Sequence, residues 1–325
     1  MHFQLTEEQR ALRDGTRALL TGRFGRDRLR AAVEDPAPDR VLWRELGAAG
    51  FFALRLPEEA GGVGLGLPEA ALVLEEAGRA LLPGPLVACA LLAGVVDGVA
   101  SGERIAGLCD AAGEPVLWEH PDGCDELIML EGGARDAGGA PERTGGAYRS
   151  AADRVPCAPF TSVDPLTPLA RITGRPPAAV AVGRDVTALR RDAALLTAAQ
   201  QLGSAARTVE MAVGHARERV QFGAPIGSFQ AVKHLCAQML VRTEIARSAV
   251  YAAAVTGAVL EVTGAKLLAD EAAVRNARDC LQIHGGMGFT WEADVHLHLK
   301  RAWLRAASWG AAAEAEEALA AGLAG

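Results

Sequence analysis

The chain has 325 residues, of which 50% are hydrophobic, 22% charged and 5% aromatic. This length allows two or three packed units, and this composition is typical of a soluble globular protein. The formal net charge of −7 gives no general attraction to nucleic acid or anionic lipid, so any phosphate-bearing ligand must be held by a few local basic residues.

No targeting segment or membrane span is expected. The N-terminal residues turn polar at once and provide no signal-peptide core, and no run of about 18 apolar residues is free of charge or glycine. The six cysteines include no CxxC pair, so neither a zinc site nor a thioredoxin-type motif is predicted. We therefore expect a cytoplasmic protein without a metal site.

Residues 1–113 are predicted to form an N-terminal helical domain with glycine-rich connections. Thr6 precedes two acids and a glutamine, which is typical of a helix start. Pro57 stops any helix before a loop with four glycines. Pro68 then opens another helix, which is expected to end near Gly78.

Residues 114–184 are predicted to form a shortened β region. Few apolar residues lie between 131 and 150, so the core of this region is expected to be small. Short apolar runs separated by Pro, Asp and Gly predict strands at 115–119, 126–130, 171–173 and 179–182.

Residues 185–325 are predicted to form an antiparallel four-helix bundle, because four long helical patterns are joined by short connections. Asp185 is expected to cap the first helix and Ser228 the second, and the fourth is expected from about 299 to 323. In the second helix, apolar or small residues recur at spacings of three and four, namely Val232, Cys236, Met239, Thr243, Ala246 and Val250. The third helix carries a predicted packing stripe with a spacing of seven, namely Leu260, Leu267, Val274 and Leu281.

Two segments of this bundle carry residues suited to a nucleotide. The first is RVQFGAPIGSFQ at 219–230, and the second is QIHGGMGFTWE at 282–292. Glycines allow backbone N–H groups to approach a diphosphate, and a guanidinium can pair with its oxygens bidentately. The alternative is that Arg219 is a solvated charge at a helix end and that the glycines form simple turns. Each segment taken alone favours this alternative.

Taken together, the segments resemble the acyl-CoA dehydrogenases. The pattern R-x-x-F-G-x-P-I-x-x-F-Q is followed some fifty residues later by Q-x-x-G-G-x-G-F. The N-terminal region agrees independently through L-P-E-E-x-G-G at 56–62 and E-E-A-G-R at 75–79. The chain is identified as a member of this family. The fold class that follows is mainly α: an N-terminal helical domain, a reduced middle β region and a C-terminal antiparallel four-helix bundle.

The resemblance implies an FAD site shared between two subunits. In the family, one subunit supports the isoalloxazine ring, and its neighbour contacts the ADP end. The neighbour does so through an arginine, an aromatic–glutamine pair and a Gln-x-x-Gly-Gly turn. Carried over to this chain, the cofactor-binding positions are Arg219, Phe222, Phe229, Gln230, Gln282, Gly285 and Gly286.

The resemblance leaves the catalytic base unassigned. The position of the family's common catalytic glutamate falls on Trp309, before Gly310, and tryptophan cannot take a proton from a substrate. Some relatives place the base near the start of the first bundle helix, where an ungapped count lands on Ala193, beside Asp192. A buried carboxylate at Asp192 could serve as the base. The sequence favours the alternative that Asp192 is an ordinary surface acid.

The implied reaction is α,β-dehydrogenation of an acyl-CoA thioester, with an electron-transfer flavoprotein as the acceptor. Nothing between 110 and 185 resembles the Thr-Glu-Pro…Gly-Ser-Asp segment that full-length members carry in the middle domain. The chain therefore resembles the short subunits that pair with a full-length dehydrogenase, as in some sterol and related acyl-CoA pathways. Two alternatives remain open: a self-sufficient homo-oligomeric dehydrogenase that uses Asp192, and a non-catalytic scaffold with the same fold.

Overall fold

The computed structural model describes residues 4–132, 146–176 and 179–323. The helices in these ranges are α1 (Glu7–Arg23), α2 (Arg26–Glu34), α3 (Arg40–Ala48), α4 (Leu67–Arg79), α5 (Leu86–Leu92), α6 (Val186–Glu218), α7 (Gln230–Thr256), α8 (Val259–His284), α9 (Val295–Ala306) and α10 (Ala312–Leu323). The strands are β1 (Ala106–Asp110), β2 (Leu117–Glu119), β3 (Glu126–Glu131), β4 (Gly146–Ala151), β5 (Cys157–Phe160), β6 (Leu169–Ile172), β7 (Val180–Val182), β8 (Val220–Gln221) and β9 (Ala224–Pro225). None of the helices in the described ranges is both long and apolar enough to cross a bilayer.

The chain divides into two compact units. The helical unit comprises Met1–Gly25, Ala71–Leu82 and Ala194–Gly325, and the mixed unit comprises Arg26–Ala70 and Pro83–Ala193. Helices α4 and α6 each contribute residues to both units. The predicted fold class, mainly helical with few strands and a C-terminal bundle, is confirmed, whereas the division into three domains stays a prediction.

The mixed unit contains two β-sheets. The four-stranded sheet has the order β1-β3-β4-β7; β1 and β3 are parallel, with Ala106 opposite Glu126, and the other neighbours are antiparallel. The three-stranded sheet has the order β2-β6-β5 and is antiparallel throughout. Strands β2, β3, β6 and β7 overlap the predicted runs. Strands β1, β4 and β5 were not predicted.

The core of the mixed unit combines strands with the helices that precede them in the chain. Trp43 on α3 stacks on Phe52 with ring centroids 4.9 Å apart, and both side chains are buried. Cys89 on α5 lies against β1, where its sulfur is 3.4 Å from the backbone nitrogen of Ala106. An ion pair of 2.7 Å joins Arg40 on α3 to Asp125, directly before β3. Helix α5 therefore packs against β1, and α3 is tied to the residue before β3.

Two of the predicted helix caps are present and one is not. Thr6 and Gln9 form a reciprocal capping box at the start of α1. Asp185 accepts from two backbone N–H groups at the start of α6. The predicted Ser228 cap of α7 was wrong, because residues 226–228 form a 3₁₀ turn and Phe229 occupies the N-cap position without a side-chain hydrogen bond.

The predicted fourth bundle helix is interrupted. Helix α9 ends at Ala306, and α10 begins only at Ala312. Between them, Trp309 and Gly310 have φ values of +58° and +107°, which a right-handed helix cannot contain. After this break α10 packs back on α8, with Gly322 against Leu260.

The predicted stripe describes only part of the buried face of α8. Leu281 is buried and Val274 packs against the same core cluster, whereas Leu260 is 44% exposed. Most of the other buried residues of α8 are alanines and polar side chains. Small side chains let neighbouring helices approach closely, and this suits the extensive packing of α8 on α7. The buried α8 residues include Val262, Ala265, Lys266, Ala269, Asp270, Ala272, Ala273, Asn276, Ala277 and Cys280.

One buried amide joins three helices of this bundle. The side chain of Asn276 on α8 is fully buried. Its nitrogen lies 3.0 Å from the carbonyl oxygen of Met239 and 2.9 Å from the hydroxyl of Thr243, both on α7, and 3.4 Å from the carbonyl oxygen of Ala205 on α6. Its oxygen accepts from Nε of Arg242 at 2.9 Å. The positions of α6, α7 and α8 are therefore coupled at this residue.

Helices α4 and α6 cross at two glycines. A Cβ on Gly203 of α6 would lie 1.8 Å from the carbonyl oxygen of Glu75. A Cβ on Gly78 of α4 would lie 2.0 Å from the carbonyl oxygen of Gln200. Because backbone faces backbone at both points, no side-chain movement can make room for a methyl group.

Gly203→Ala is expected to lower the free energy of unfolding by about 3 kcal/mol, because the methyl group forces the two helices apart. Gly214→Ala in the same helix is the matched control, since its Cβ would meet no atom within 4 Å. Alanine there should raise stability by about 0.5–1 kcal/mol. Urea unfolding followed by circular dichroism measures both, and equal effects of the two substitutions would contradict the close crossing.

Candidate functional site

A short hairpin follows α6 and carries the first predicted segment. Strands β8 and β9 pair Gln221 with Ala224, and the two residues between them have left-handed conformations, with φ +52° at Phe222 and +78° at Gly223. Positive φ at both central residues is the geometry of a type I′ turn. The backbone nitrogen of Ile226 donates to the carbonyl oxygen of Arg219 at 2.8 Å, which closes the hairpin.

Phe222 is unusual in both conformation and exposure. A bulky residue in the left-handed region is strained, and asparagine or glycine is preferred at this turn position. The ring is nevertheless 95% exposed, so it contributes almost nothing to the core of this chain. Strain that folding does not require is typical of a functional position.

The predicted aromatic–glutamine pair, Phe229 and Gln230, lies where α7 begins. The rings of Phe222 and Phe229 are in edge-to-face contact with centroids 6.2 Å apart. Gln230 is the first residue of α7 and is exposed. The first turn of α7 contains no acidic residue, so the positive end of a 27-residue helix faces this region without a neutralising carboxylate. Such a helix end favours a bound anion.

The glycine turn follows α8. Gly285 has φ +63° and ψ −144°, a conformation that glycine alone adopts readily. Its N–H donates to carbonyl oxygens of the last turn of α8. A Cβ built on Gly286 would meet no atom within 4 Å, so the surface beside it is open to an approaching ligand. Gln282, in the last turn of α8, is exposed.

Two histidines bring the hairpin and the glycine turn together. His215 in the last turn of α6 stacks on His284 at the end of α8, with ring centroids 4.1 Å apart and planes inclined by 18°. The same helix ends share a hydrophobic core cluster that includes Ala216, Ile283 and, at its edge, Ile226. Sequence reasoning gave His284 no role and did not consider His215. The sequence signal that could have identified His215 is its position one helical turn before Arg219.

Arg219 is available for a ligand. It is exposed, and its guanidinium has no hydrogen bond or ion pair with any residue that the structure describes. The seven predicted cofactor positions thus lie on the hairpin, the start of α7 and the turn after α8, which are neighbouring surfaces of the helical unit. The donor chemistry fits a diphosphate: a free cation, an uncapped helix N-terminus and an open glycine turn. Across the described residues no group of three His, Cys, Asp or Glu could hold a metal ion.

Asp192 lies in a different environment from the one that the sequence favoured. Its side chain is buried, whereas an exposed surface acid was expected. One carboxylate oxygen accepts from Arg55 at 2.9 Å, and the other accepts from Arg191 at 2.8 and 3.0 Å. Both oxygens are therefore engaged by guanidinium groups, which is typical of a structural ion pair. The role of Asp192 as a base stays a prediction.

A separate cavity of about 420 Å³ lies among α1, α4, α6 and α7 of the helical unit. Its charged side chains form ion pairs. Glu75 accepts from Arg247 and, at 2.7 Å, from the hydroxyl of Tyr251, and Arg17 pairs with Glu76 at 2.6 Å. These contacts join α1, α4 and α7, so we assign the cavity a structural role.

Two family models match the chain. The model of the acyl-CoA dehydrogenase C-terminal domain matches residues 190–321, and that of the acyl-CoA dehydrogenase N-terminal domain matches residues 6–101. The chain belongs to the acyl-CoA dehydrogenase family. The predicted enzyme class, an oxidoreductase acting on acyl-CoA, and the predicted cofactor, FAD, are thereby confirmed.

Acyl-CoA dehydrogenase relatives of similar length are found among characterised proteins. Acyl-CoA dehydrogenase IpdE2 of Mycolicibacterium smegmatis is 35% identical over 303 residues, covering 92% of this chain and 93% of the relative. A variant of the Tcur3481–Tcur3483 steroid ACAD is 25% identical, with a TM-score of 0.81 and coverage of 98% and 99%. The ChsE4–ChsE5 complex from Mycobacterium tuberculosis shares the fold at 24% identity, with a TM-score of 0.82 and coverage of 100% and 99%.

Asp192→Asn is expected to destabilise the chain by about 2 kcal/mol, because two arginines lose their shared buried carboxylate. Asp14→Asn is the control, since the Arg13–Asp14 pair is exposed and should contribute at most about 0.5 kcal/mol. Denaturant unfolding gives both values. Unchanged stability together with lost turnover in the assembled enzyme would instead assign Asp192 as the base.

Proposed function

We propose that this chain is the short subunit of a heteromeric acyl-CoA dehydrogenase. It contributes the ADP-binding half of an FAD site that lies at a subunit interface. A full-length partner subunit contributes the flavin bed and the catalytic base. The substrate is an acyl-CoA thioester, and an electron-transfer flavoprotein is the proposed acceptor.

The observation that carries this proposal is the outward presentation of the hairpin. Arg219 and Phe222 point away from the core of their own chain, and the open glycine turn is joined to them through the His215–His284 stack. Groups arranged in this way can bind the diphosphate and adenosine of a dinucleotide held mainly by another chain. The strained backbone and exposed ring of Phe222 do not stabilise this chain on its own. Both are explained if a partner subunit or its cofactor covers the ring.

The residues at the expected base positions support a division of labour between two subunits. Trp309 stands where the family has a glutamate, and its left-handed backbone lies in the break between α9 and α10. Asp192 is held by Arg55 and Arg191. Neither arrangement provides a carboxylate that is free to take the α-proton of a thioester.

Relatives with two components support the same proposal. The ChsE4–ChsE5 complex is by name an assembly of two proteins, and the Tcur3481–Tcur3483 protein is named as a steroid ACAD. A polycyclic or branched acyl group is accordingly the substrate class that we propose to test first. In this scheme bound FAD would supply the hydride-accepting chemistry, and residues of this chain would bind and orient its ADP end.

Co-expression with a full-length acyl-CoA dehydrogenase should give a yellow complex with about one flavin for every two chains, because each pair of unlike subunits completes one site. Flavin absorbance against protein concentration measures this ratio. If the chain expressed alone is yellow and reduces a dye when given an acyl-CoA, the self-sufficient dehydrogenase is the correct function instead.

Arg219→Ala in that complex should weaken FAD retention about tenfold to a hundredfold, since one charge-assisted bidentate contact with the diphosphate is lost. Arg217→Ala is the matched control: Arg217 is exposed and also lies at the end of α6, but outside the predicted segment. Equilibrium dialysis of the two variants gives the affinities. Equal flavin content in Arg219→Ala and the unaltered complex would favour the non-catalytic scaffold.

Phe222→Asn is expected to change stability and flavin binding in opposite directions. Asparagine relieves the left-handed strain, so the free energy of unfolding should rise by about 0.5–1 kcal/mol. Loss of the aromatic contact should weaken FAD retention roughly threefold to tenfold. Thermal unfolding of the chain and dialysis of the complex measure the two effects. A stability loss without any change in flavin binding would contradict the assigned role of the ring.

A further inference from the structure

The stacked histidines have a defined hydrogen-bonding state. Nδ1 of His284 lies 2.8 Å from the carbonyl oxygen of Cys280. Because a carbonyl oxygen can only accept, Nδ1 of His284 carries a proton and donates. His215 has no hydrogen-bond partner among the residues that the structure describes, so its position depends on packing against His284.

The surroundings of His215 disfavour a positive charge. Glu218 ends the same helix, Arg219 directly follows it, and α8 contributes His284. Partial burial, then the charges of His284 and Arg219, lower the pKa of His215, and Glu218 opposes this effect. Protonation would therefore place a new cation against a stacked ring 4.1 Å away, beside an arginine one helical turn further on.

We infer that His215 is a positioning residue for Arg219: its uncharged ring, stacked on His284, holds the end of α6 against the end of α8, and protonation separates them. This inference rests on the proposed function, because the groups being aligned are Arg219 and the glycine turn. The hairpin and the glycine turn together form the proposed nucleotide surface. In its neutral form the stack keeps these two parts at a fixed spacing. In its charged form the hairpin that carries Arg219 and Phe222 is released from that spacing.

The direction of the pH effect on stability follows from the lowered pKa. Above the pKa of an unfolded histidine, about 6.5, His215 is neutral in both states and contributes no penalty. Below that pH the unfolded chain takes up a proton more readily than the folded chain, so stability falls as the pH decreases. FAD retention should fall over the same range.

The experiment compares His215→Phe and His215→Ala with the unaltered chain at pH 7.5 and pH 5.0. Phenylalanine keeps an aromatic stack but cannot be protonated, whereas alanine removes the stack. Between the two pH values, FAD retention by the unaltered complex should weaken about fivefold to tenfold more than retention by His215→Phe. His215→Ala should bind FAD weakly at both pH values. His234→Phe, at an exposed position of α7, is the matched control, and its FAD retention should weaken on acidification as much as that of the unaltered complex.

A second measurement does not depend on flavin. Thermal unfolding of the full chain alone should show a smaller loss of unfolding temperature between pH 7.5 and pH 5.0 for His215→Phe than for the unaltered chain. If both chains lose FAD and stability to the same extent on acidification, the positioning role of His215 is overturned while the Arg219 result still stands. If Arg219→Ala retains FAD but His215→Phe is resistant to acid unfolding, the stacking role of His215 is supported. The assignment of Arg219 to a nucleotide-binding surface is then contradicted.

Discussion

The side chain of Asn276 bonds to α6 and α7 from within α8, and its own oxygen accepts from Arg242, with no contact to solvent. A buried amide that loses its partners carries the full cost of its desolvation, so sliding or rotation of any of the three helices is penalised. The surfaces that carry the predicted cofactor positions are all ends of these helices. The hairpin continues α6, Gln230 begins α7, and the glycine turn terminates α8. Their mutual placement is therefore a consequence of how the bundle packs.

The surface that carries the predicted cofactor positions attracts anions through a few nearby groups, not through the charge of the whole chain. The chain as a whole is acidic, and many of the described arginines form ion pairs with nearby carboxylates, as Arg40, Arg190 and Arg247 illustrate. Arg219 has no such partner among the described residues, and the first turn of α7 has no acid. A cation left without a carboxylate beside an uncapped helix start attracts an anion without a general positive field. Glycine at 285 and 286 leaves room for a ligand to approach the backbone.

Features set by short stretches of chain could be predicted from the sequence. The Thr6 and Asp185 caps depend on side chains that reach backbone groups two or three residues away, and the buried spacing of α7 follows helical periodicity. Strand β1 was missed because its stability comes from pairing with β3, which the local pattern of alanine, glycine and leucine does not reveal. The Ser228 cap failed because a 3₁₀ turn competed for the same residues.

The candidate site also combines features that local sequence predicts with features that depend on residues distant in sequence. Its individual positions were predicted from motifs, but the alignment of two motifs through His215 and His284 joins residues that are distant in sequence, so periodicity could not show it. The burial of Asp192 likewise depends on Arg55 in a remote part of the chain. Sequence reasoning identified candidate ligand-contacting groups, but it did not identify the groups that hold them in place.

The packing of α10 on α8 has a practical consequence for labelling the molecule. Gly322 lies against Leu260, in the first turn of α8, whereas the glycine turn follows the other end of that helix. A straight helix of 26 residues is roughly 39 Å long. A fluorophore or surface tether attached at the end of α10 would therefore sit a full helix length from Gly285, away from the glycine turn and its predicted cofactor positions.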